Sequence, residues 1–116
     1  MLRSRRRGRY EKHFHSPGFV YYTHAQPCIV RHCTNRDMQA AHGHGRGAGG
    51  TWRDIFPACR SHHAEQGTGG IRTFERKHDV HITACAALHA TRWERMSDAE
   101  RVDWEVAAKE AGYRYP

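Results

Sequence analysis

The chain has 116 residues, of which 38% are hydrophobic, and a formal net charge of +7. This length allows one small domain with a modest core and excludes two. No stretch approaches the ~18 apolar residues of a membrane-spanning helix. The N-terminal arginines are not followed by the apolar segment of a secretory signal peptide. We therefore expect a cytoplasmic protein, in which a metal ion is a better role for the cysteines than disulfides.

Positive charge is concentrated at the N-terminus. The first fifteen residues carry six basic side chains and one acidic one, residues 16–90 carry eight and five, and residues 91–116 carry five and six. A basic excess favours a polyanionic partner. We interpret residues 1–15 as a flexible basic arm, residues 16–95 as the folded domain, and residues 96–116 as a final helix that packs on the domain or extends it.

The first half of the domain combines one helix with two short strands. Ser16 and Pro17 predict the N-cap and the first residue of a helix, which Pro27 ends. Two strands are predicted, and Pro57 is expected to end the second or to mark a sheet edge. They lie at Met38–His42 and Asp54–Phe56. The glycine-rich residues 43–51 between them predict a loop.

The second half is predicted to be helical. One helix runs from Cys59 to about Gln66 with Gly67 as its C-terminal cap, and a further helical turn covers Ile71 to Lys77. An alanine-rich helix covers residues 81–95. Its candidate core residues are Ile82, Cys85 and Leu88. The last helix begins with a capping box formed by Ser97 and Glu100 and ends at Gly112, with Val102 and Val106 on one face.

Four residues have the spacing of a zinc site. They are the pair Cys28-x4-Cys33 and, after a gap of 25 residues that can hold a hairpin, the pair Cys59-x2-His62. Zinc prefers four thiolate or imidazole ligands in a tetrahedron, and residues three apart at a helix start project from one face. We predict a structural zinc ion here. Cys85 has no partner at ligand spacing and is expected to be a free thiol.

Several ordered motifs resemble those of the HNH endonucleases, in particular small zinc-containing phage and bacterial members with a ββα-metal core. The motifs, in chain order, are Pro27-Cys28, Ala41-His42, the glycines from Gly45 to Gly50, Asp54-Ile55-Phe56, Cys59-x-x-His62-His63 and Gly70-Ile71-Arg72-Thr73-Phe74-Glu75. The resemblance covers about residues 16–93. It implies an α+β fold with a treble-clef-like ββα-metal core and flanking helices. It also implies DNA as the partner.

The resemblance also implies catalytic roles. His42 is the candidate general base, because an imidazole pKa lies near neutrality. His63 is the candidate ligand of a single catalytic Mg²⁺ or Mn²⁺ ion, and Asp54 either holds that ion or orients His42. Three arginines that flank the site are candidate phosphate contacts. These are Arg46, Arg53 and Arg60. The structural zinc is not itself catalytic.

Three functions remain open from the sequence. The first is a metal-dependent DNA endonuclease or nickase. The second is a noncatalytic zinc module that binds nucleic acid, which is favoured by Ala41 and Gly67, where related nucleases often have a metal-binding residue and a histidine. The third is a small disulfide-stabilised secreted protein, which the missing signal peptide disfavours.

Overall fold

The computed structural model describes residues 5–43 and 50–116. Six α-helices, one 3-10 helix and two strands lie in these ranges. The helices are α1 (Arg5–Phe14), α2 (Pro17–His24), α3 (Arg60–Gly69), α4 (Ile71–His78), α5 (Ile82–Arg95) and α6 (Asp98–Glu110), the strands are β1 (Met38–His42) and β2 (Ile55–Cys59), and the 3-10 helix is Trp52–Asp54. The α+β class predicted from the sequence is therefore confirmed.

The two strands form an antiparallel hairpin that leads directly into α3. Met38 pairs with Cys59 at one end, and His42 pairs with Ile55 at the other. Pro57 lies inside β2 rather than ending it, but it faces the outer edge of the two-stranded sheet, which was the other position predicted for it. Its carbonyl accepts a hydrogen bond from the Ile29 N–H on the outer side of the hairpin. Because N and C=O of one strand residue point to the same side, the missing N–H costs no bond to β1.

The N-terminal stretch is a helix where the sequence predicted a flexible arm. Residues 5–14 form α1, which is supported by the i,i+4 pairs Arg7–Glu11 and Tyr10–Phe14. Phe14 packs against a cluster of buried residues that includes Phe19 and Tyr22 of α2. The helix closes at His15, whose φ of 67° is left-handed. The arm interpretation is therefore corrected for residues 5–14.

Helices α3 to α6 match their predicted positions, with corrections at their ends and faces. Gly67 lies inside α3, and the helix ends at Gly70, where a φ of 86° favours glycine. Leu88 is 51% exposed, whereas His89 on the same helix is buried. Ile82, at the start of the same helix, is buried as predicted, and Cys85 is half-buried. Two valines on α6 are also exposed, namely Val102 and Val106.

Two apolar clusters enclose the hairpin. The first cluster packs one face of the hairpin against α4 and α5. It consists of Ala41, Phe56, Ala58, Phe74, Ile82 and Ala86. The second cluster joins α2, the 3-10 helix, α5 and α6. We call it the aromatic cluster, and it is centred on Phe19, Tyr22, Ile55 and Trp93. Among the described residues, no helix is both long and apolar enough to cross a membrane.

Candidate metal centre and active site

The two pairs of predicted zinc ligands come together at the end of the hairpin where β2 enters α3. One ligand atom each of Cys28, Cys33, Cys59 and His62 lies within 4.8 Å of the others, so this group could hold a metal ion such as zinc. Local backbone features direct these side chains. Cys59 is the N-cap of α3 and His62 lies in its first turn, while His32, with a left-handed φ of 63°, turns the chain just before Cys33.

The spacing of the ligand atoms fits a tetrahedral zinc ion. Bonds of about 2.3 Å to sulfur and about 2.0 Å to nitrogen separate two sulfurs by about 3.8 Å, and a sulfur from a nitrogen by about 3.5 Å. The Sγ atoms of Cys33 and Cys59 are 4.0 Å apart. The Nδ1 atom of His62 lies 3.4 Å from Cys28 Sγ and 3.2 Å from Cys59 Sγ. Donor set and distances both suit zinc.

Hydrogen bonds around the cluster favour thiolates. Burial works against ionisation of Cys59, but hydrogen bonds from Asn35, Ser61 and the His62 backbone outweigh it, so that the pKa of Cys59 is lowered. Burial raises the pKa of the neighbouring Cys28 thiol, although it accepts a hydrogen bond from the Cys59 N–H at 3.4 Å. A bound dication would favour the thiolate form of all three cysteines.

All four cysteines are free thiols, which bears on the disulfide alternative. Cys85 lies on α5, outside the ligand group, as expected from its spacing. The cysteines at ligand spacing therefore form a cluster with an imidazole rather than two cross-links. This arrangement is typical of a metal site.

The candidate general base is fixed in one tautomer. The Nε2 atom of His42 lies 2.8 Å from the His13 carbonyl oxygen at the end of α1. A carbonyl only accepts, so Nε2 carries the proton and Nδ1 keeps a lone pair. Within residues 5–43 and 50–116 no hydrogen bond to Nδ1 is found. The Phe14 ring contacts the imidazole edge to face, with centroids 5.2 Å apart.

The neighbouring His63 is oriented in a similar manner. Its Nδ1 lies 2.6 Å from Oε1 of Gln39 on β1, so Nδ1–H donates and Nε2 retains a lone pair. Burial, and then the proximity of His42, lower the pKa of His63, which favours the neutral imidazole. A neutral imidazole whose other nitrogen donates to an oxygen is the usual form of a metal-binding histidine.

Two of the other candidate site residues, Asp54 and Arg53, have partners that limit their predicted roles. Asp54 closes the 3-10 helix as part of a capping box, with Oδ2 accepting from the Thr51 N–H at 2.8 Å. The guanidinium of Arg53 lies over the Trp52 ring and forms a two-pronged ion pair with Glu94. Arg60 is exposed at the start of α3. Arg46 and most of the glycine-rich loop lie outside the described residues.

Three contacts were not anticipated from the sequence, namely those of Asn35, Gln39 and His13. Asn35 follows the cysteine pair closely, and an amide there is the one local hint of a thiolate hydrogen bond. Gln39 and the His13 carbonyl carry no such hint, because each acts across elements that are distant in sequence. Among the described residues, no second group of three or more His, Cys, Asp or Glu side chains could hold a metal ion.

Comparison with known proteins finds no relative of this chain: no family model, no curated protein and no solved structure matches it.

Proposed function

We propose that this protein is a metal-dependent HNH-type endonuclease that hydrolyses DNA phosphodiester bonds. The observation that carries the proposal is the tautomer of His42. Its Nε2–H donates to the His13 carbonyl, which leaves Nδ1 as a base at the end of β1, in a hairpin that continues into a helix. A zinc ion bound by Cys28, Cys33, Cys59 and His62, at the opposite end of the hairpin where Met38 pairs with Cys59, would hold strand and helix together. We call these four residues the metal cluster.

In this mechanism Nδ1 of His42 accepts a proton from the water that attacks phosphorus. The Nε2 lone pair of His63 is available to a divalent ion, and Gln39 fixes the ring for that purpose. Mg²⁺ or Mn²⁺ bound there would stabilise the charge that develops on the phosphate and the leaving oxygen. With few protein ligands, the remaining coordination would come from water and phosphate oxygens, as is common for Mg²⁺.

A second candidate is a noncatalytic zinc module that binds nucleic acid. It is favoured by two observations at the candidate active site. The side chain of Ala41, where related nucleases often have a metal-binding residue, is completely buried in the core. One carboxylate oxygen of Asp54 is engaged by the Thr51 N–H. These two observations leave His63 as the main protein side chain that could bind a catalytic ion, and this favours the noncatalytic module.

Relaxation of supercoiled plasmid distinguishes the two functions. We expect wild-type protein to nick plasmid when Mg²⁺ or Mn²⁺ is added and not when it is omitted. His42→Ala should lower the rate by roughly 10²–10⁴-fold, the usual contribution of a general base. Zinc content and DNA retention in a gel should remain those of the wild type.

His81→Asn is the matched control for the loss of an imidazole. His81 caps α5 with its Nδ1, and asparagine is an equally good N-cap residue. This variant should nick at the wild-type rate. If His42→Ala nicks as fast as the control, His42 is not the base. If wild type does not nick while it still retains zinc and DNA, the noncatalytic module is the correct function.

A further inference from the structure

The outer face of α1 is basic and free of acidic residues. At 100° per residue, its basic side chains other than Arg7 fall within an arc of about 120°. They are Arg5, Arg6, Arg9 and Lys12, and all four are exposed. The single acidic residue of the helix, Glu11, lies on the opposite side, where it pairs with Arg7. We call these four residues the α1 basic face.

The inner face of α1 is occupied by the rest of the protein. Tyr10 and Phe14 pack on each other with ring centroids 5.1 Å apart. Phe14 also packs against the aromatic cluster, and Tyr10 contacts the ring of Tyr115 near the C-terminus. The Arg7 guanidinium lies 3.9 Å from the centroid of the Tyr115 ring. The orientation of the helix is therefore fixed, with its basic face outward.

The end of α1 contacts the candidate active site directly. The His13 carbonyl in its last turn accepts the hydrogen bond from His42. Arg9 lies one helical turn before His13, and Arg6 lies about 20° from it around the helix axis. A polyanion that follows the α1 basic face toward the end of the helix would thus approach the imidazole of His42.

We propose that the α1 basic face is the surface that binds the phosphate backbone of duplex DNA and guides it to His42. This proposal deepens the proposed function and rests on it for the identity of the partner. Basic side chains on a rigid helix neutralise phosphates and release counterions. The DNA contact is thereby assigned to α1 rather than to Arg53, whose guanidinium is engaged by Glu94.

A membrane surface is the other polyanion that a basic helix can bind. Helices that lie in a membrane insert an apolar face between the lipids. In α1 that face, formed by Tyr10 and Phe14, is packed against Tyr115 and the aromatic cluster. Only charged side chains remain exposed, and this favours a nucleic acid backbone.

The test compares two variants with the same change in charge. The first replaces the α1 basic face by glutamine, which keeps a high helix propensity: Arg5→Gln, Arg6→Gln, Arg9→Gln and Lys12→Gln. The control removes four exposed basic side chains elsewhere: Arg92→Gln, Arg95→Gln, Lys109→Gln and Arg114→Gln. Binding to a 20-base-pair DNA duplex is measured between 50 and 300 mM NaCl, without added Mg²⁺ or Mn²⁺ so that cleavage plays no part.

We expect the α1 variant to lose roughly eightfold in affinity per phosphate contact near 0.1 M salt, and its plot of log K against log[salt] to flatten by about 0.9 per contact. The control should keep the wild-type slope, and circular dichroism should show that both variants keep their helices. Equal weakening of both variants would overturn the proposal, as would binding of wild type to anionic phosphatidylserine vesicles but not to DNA. Because binding is measured without cleavage, an inactive wild type that still shows the α1 effect refutes only the nuclease.

Discussion

His89 is a buried imidazole that the sequence did not single out. It is 4% exposed and stacks on the Tyr22 ring at an interplanar angle of 7°. Its Nε2 lies 2.7 Å from the Thr23 hydroxyl, whose own proton goes to the Phe19 carbonyl, so Nε2–H is the donor. Burial, with a smaller effect from the charge of Arg92, lowers the pKa of His89 to about 4.

This shift predicts an acid-sensitive fold. The unfolded chain protonates His89 near its ordinary pKa of about 6.5, but the folded chain does so only near 4. Above about pH 6.5, His89 therefore does not lower the free energy of unfolding. As the pH drops from 6.5 toward 4, the free energy of unfolding falls, by about 3 kcal/mol in total from this group. The measurement is urea unfolding at pH 4–8 of wild type and His89→Phe.

Comparison with the phenylalanine variant also controls for the effect of acid on the metal site. Acid-induced loss of zinc should destabilise both proteins equally, so the difference between their pH profiles isolates His89. Thr23 keeps its bond to the Phe19 carbonyl in the variant. Parallel profiles for the two proteins would show that His89 does not cause the acid sensitivity.

At the scale of elements, α6 caps the N-terminus of α2. The Glu105 carboxylate accepts hydrogen bonds from the Ser16 hydroxyl at 2.5 Å and from the Gly18 N–H at 2.7 Å. A side chain at Gly18 would clash with that carboxylate, because a Cβ there would lie only 2.3–2.7 Å from its atoms. Ser16 also caps α2 directly by accepting from the Phe19 N–H. The final helix is therefore tied to the first part of the domain.

Glu105→Ala should lower the free energy of unfolding by about 1–3 kcal/mol, because it leaves two polar groups at the start of α2 without their partner. Gly18→Ala should have a comparable effect, since it displaces the same carboxylate. The double variant should then cost clearly less than the sum of the two single changes. The measurement is denaturant unfolding of all four proteins.

Glu110→Ala is the control on the same helix, at an exposed position near its end. It should change the free energy of unfolding by less than about 0.5 kcal/mol. Additive effects of Glu105→Ala and Gly18→Ala would mean that they act through separate contacts, contrary to the capping role of Glu105.

For the molecule as a whole, the group of candidate zinc ligands and the aromatic cluster share the hairpin. Cys59 ends β2, and Ile55 at the other end of the same strand packs against Trp93. All three tryptophans belong to the aromatic cluster or pack on it, so their fluorescence reports its integrity. A chain of this size with a small core depends on such a shared link.

Cys59→Ser should therefore abolish stoichiometric zinc binding and folding together. Cys85→Ser, the same change on α5 outside the cluster, should retain one zinc ion per chain and a cooperative melt. Zinc is measured by elemental analysis, and folding by tryptophan emission during thermal unfolding. A cooperative melt of zinc-free Cys59→Ser would show that the aromatic cluster folds without the metal.

The sequence by itself determined those features that depend on neighbouring residues. Ser16 and Pro17 start α2, and Ser97 with Glu100 starts α6, because a cap is satisfied within one turn. The spacing of the cysteines and His62 predicted the four residues that come together as a group able to hold a metal ion, since a tetrahedral ion requires only two short local pairs in proximity. The catalytic roles and the DNA partner stay predictions.

Only the tertiary structure decided which faces are buried and which atoms meet across the chain. Leu88 looked like a core residue, yet α5 buries His89 instead, because the aromatic rings of α2 lie on that side. The helical state of residues 5–14 depends partly on Phe14 packing against a distant cluster. The tautomers of His42 and His63 depend on acceptors from α1 and β1. Such long-range contacts have no local pattern, because their energy arises only when separate elements pack together.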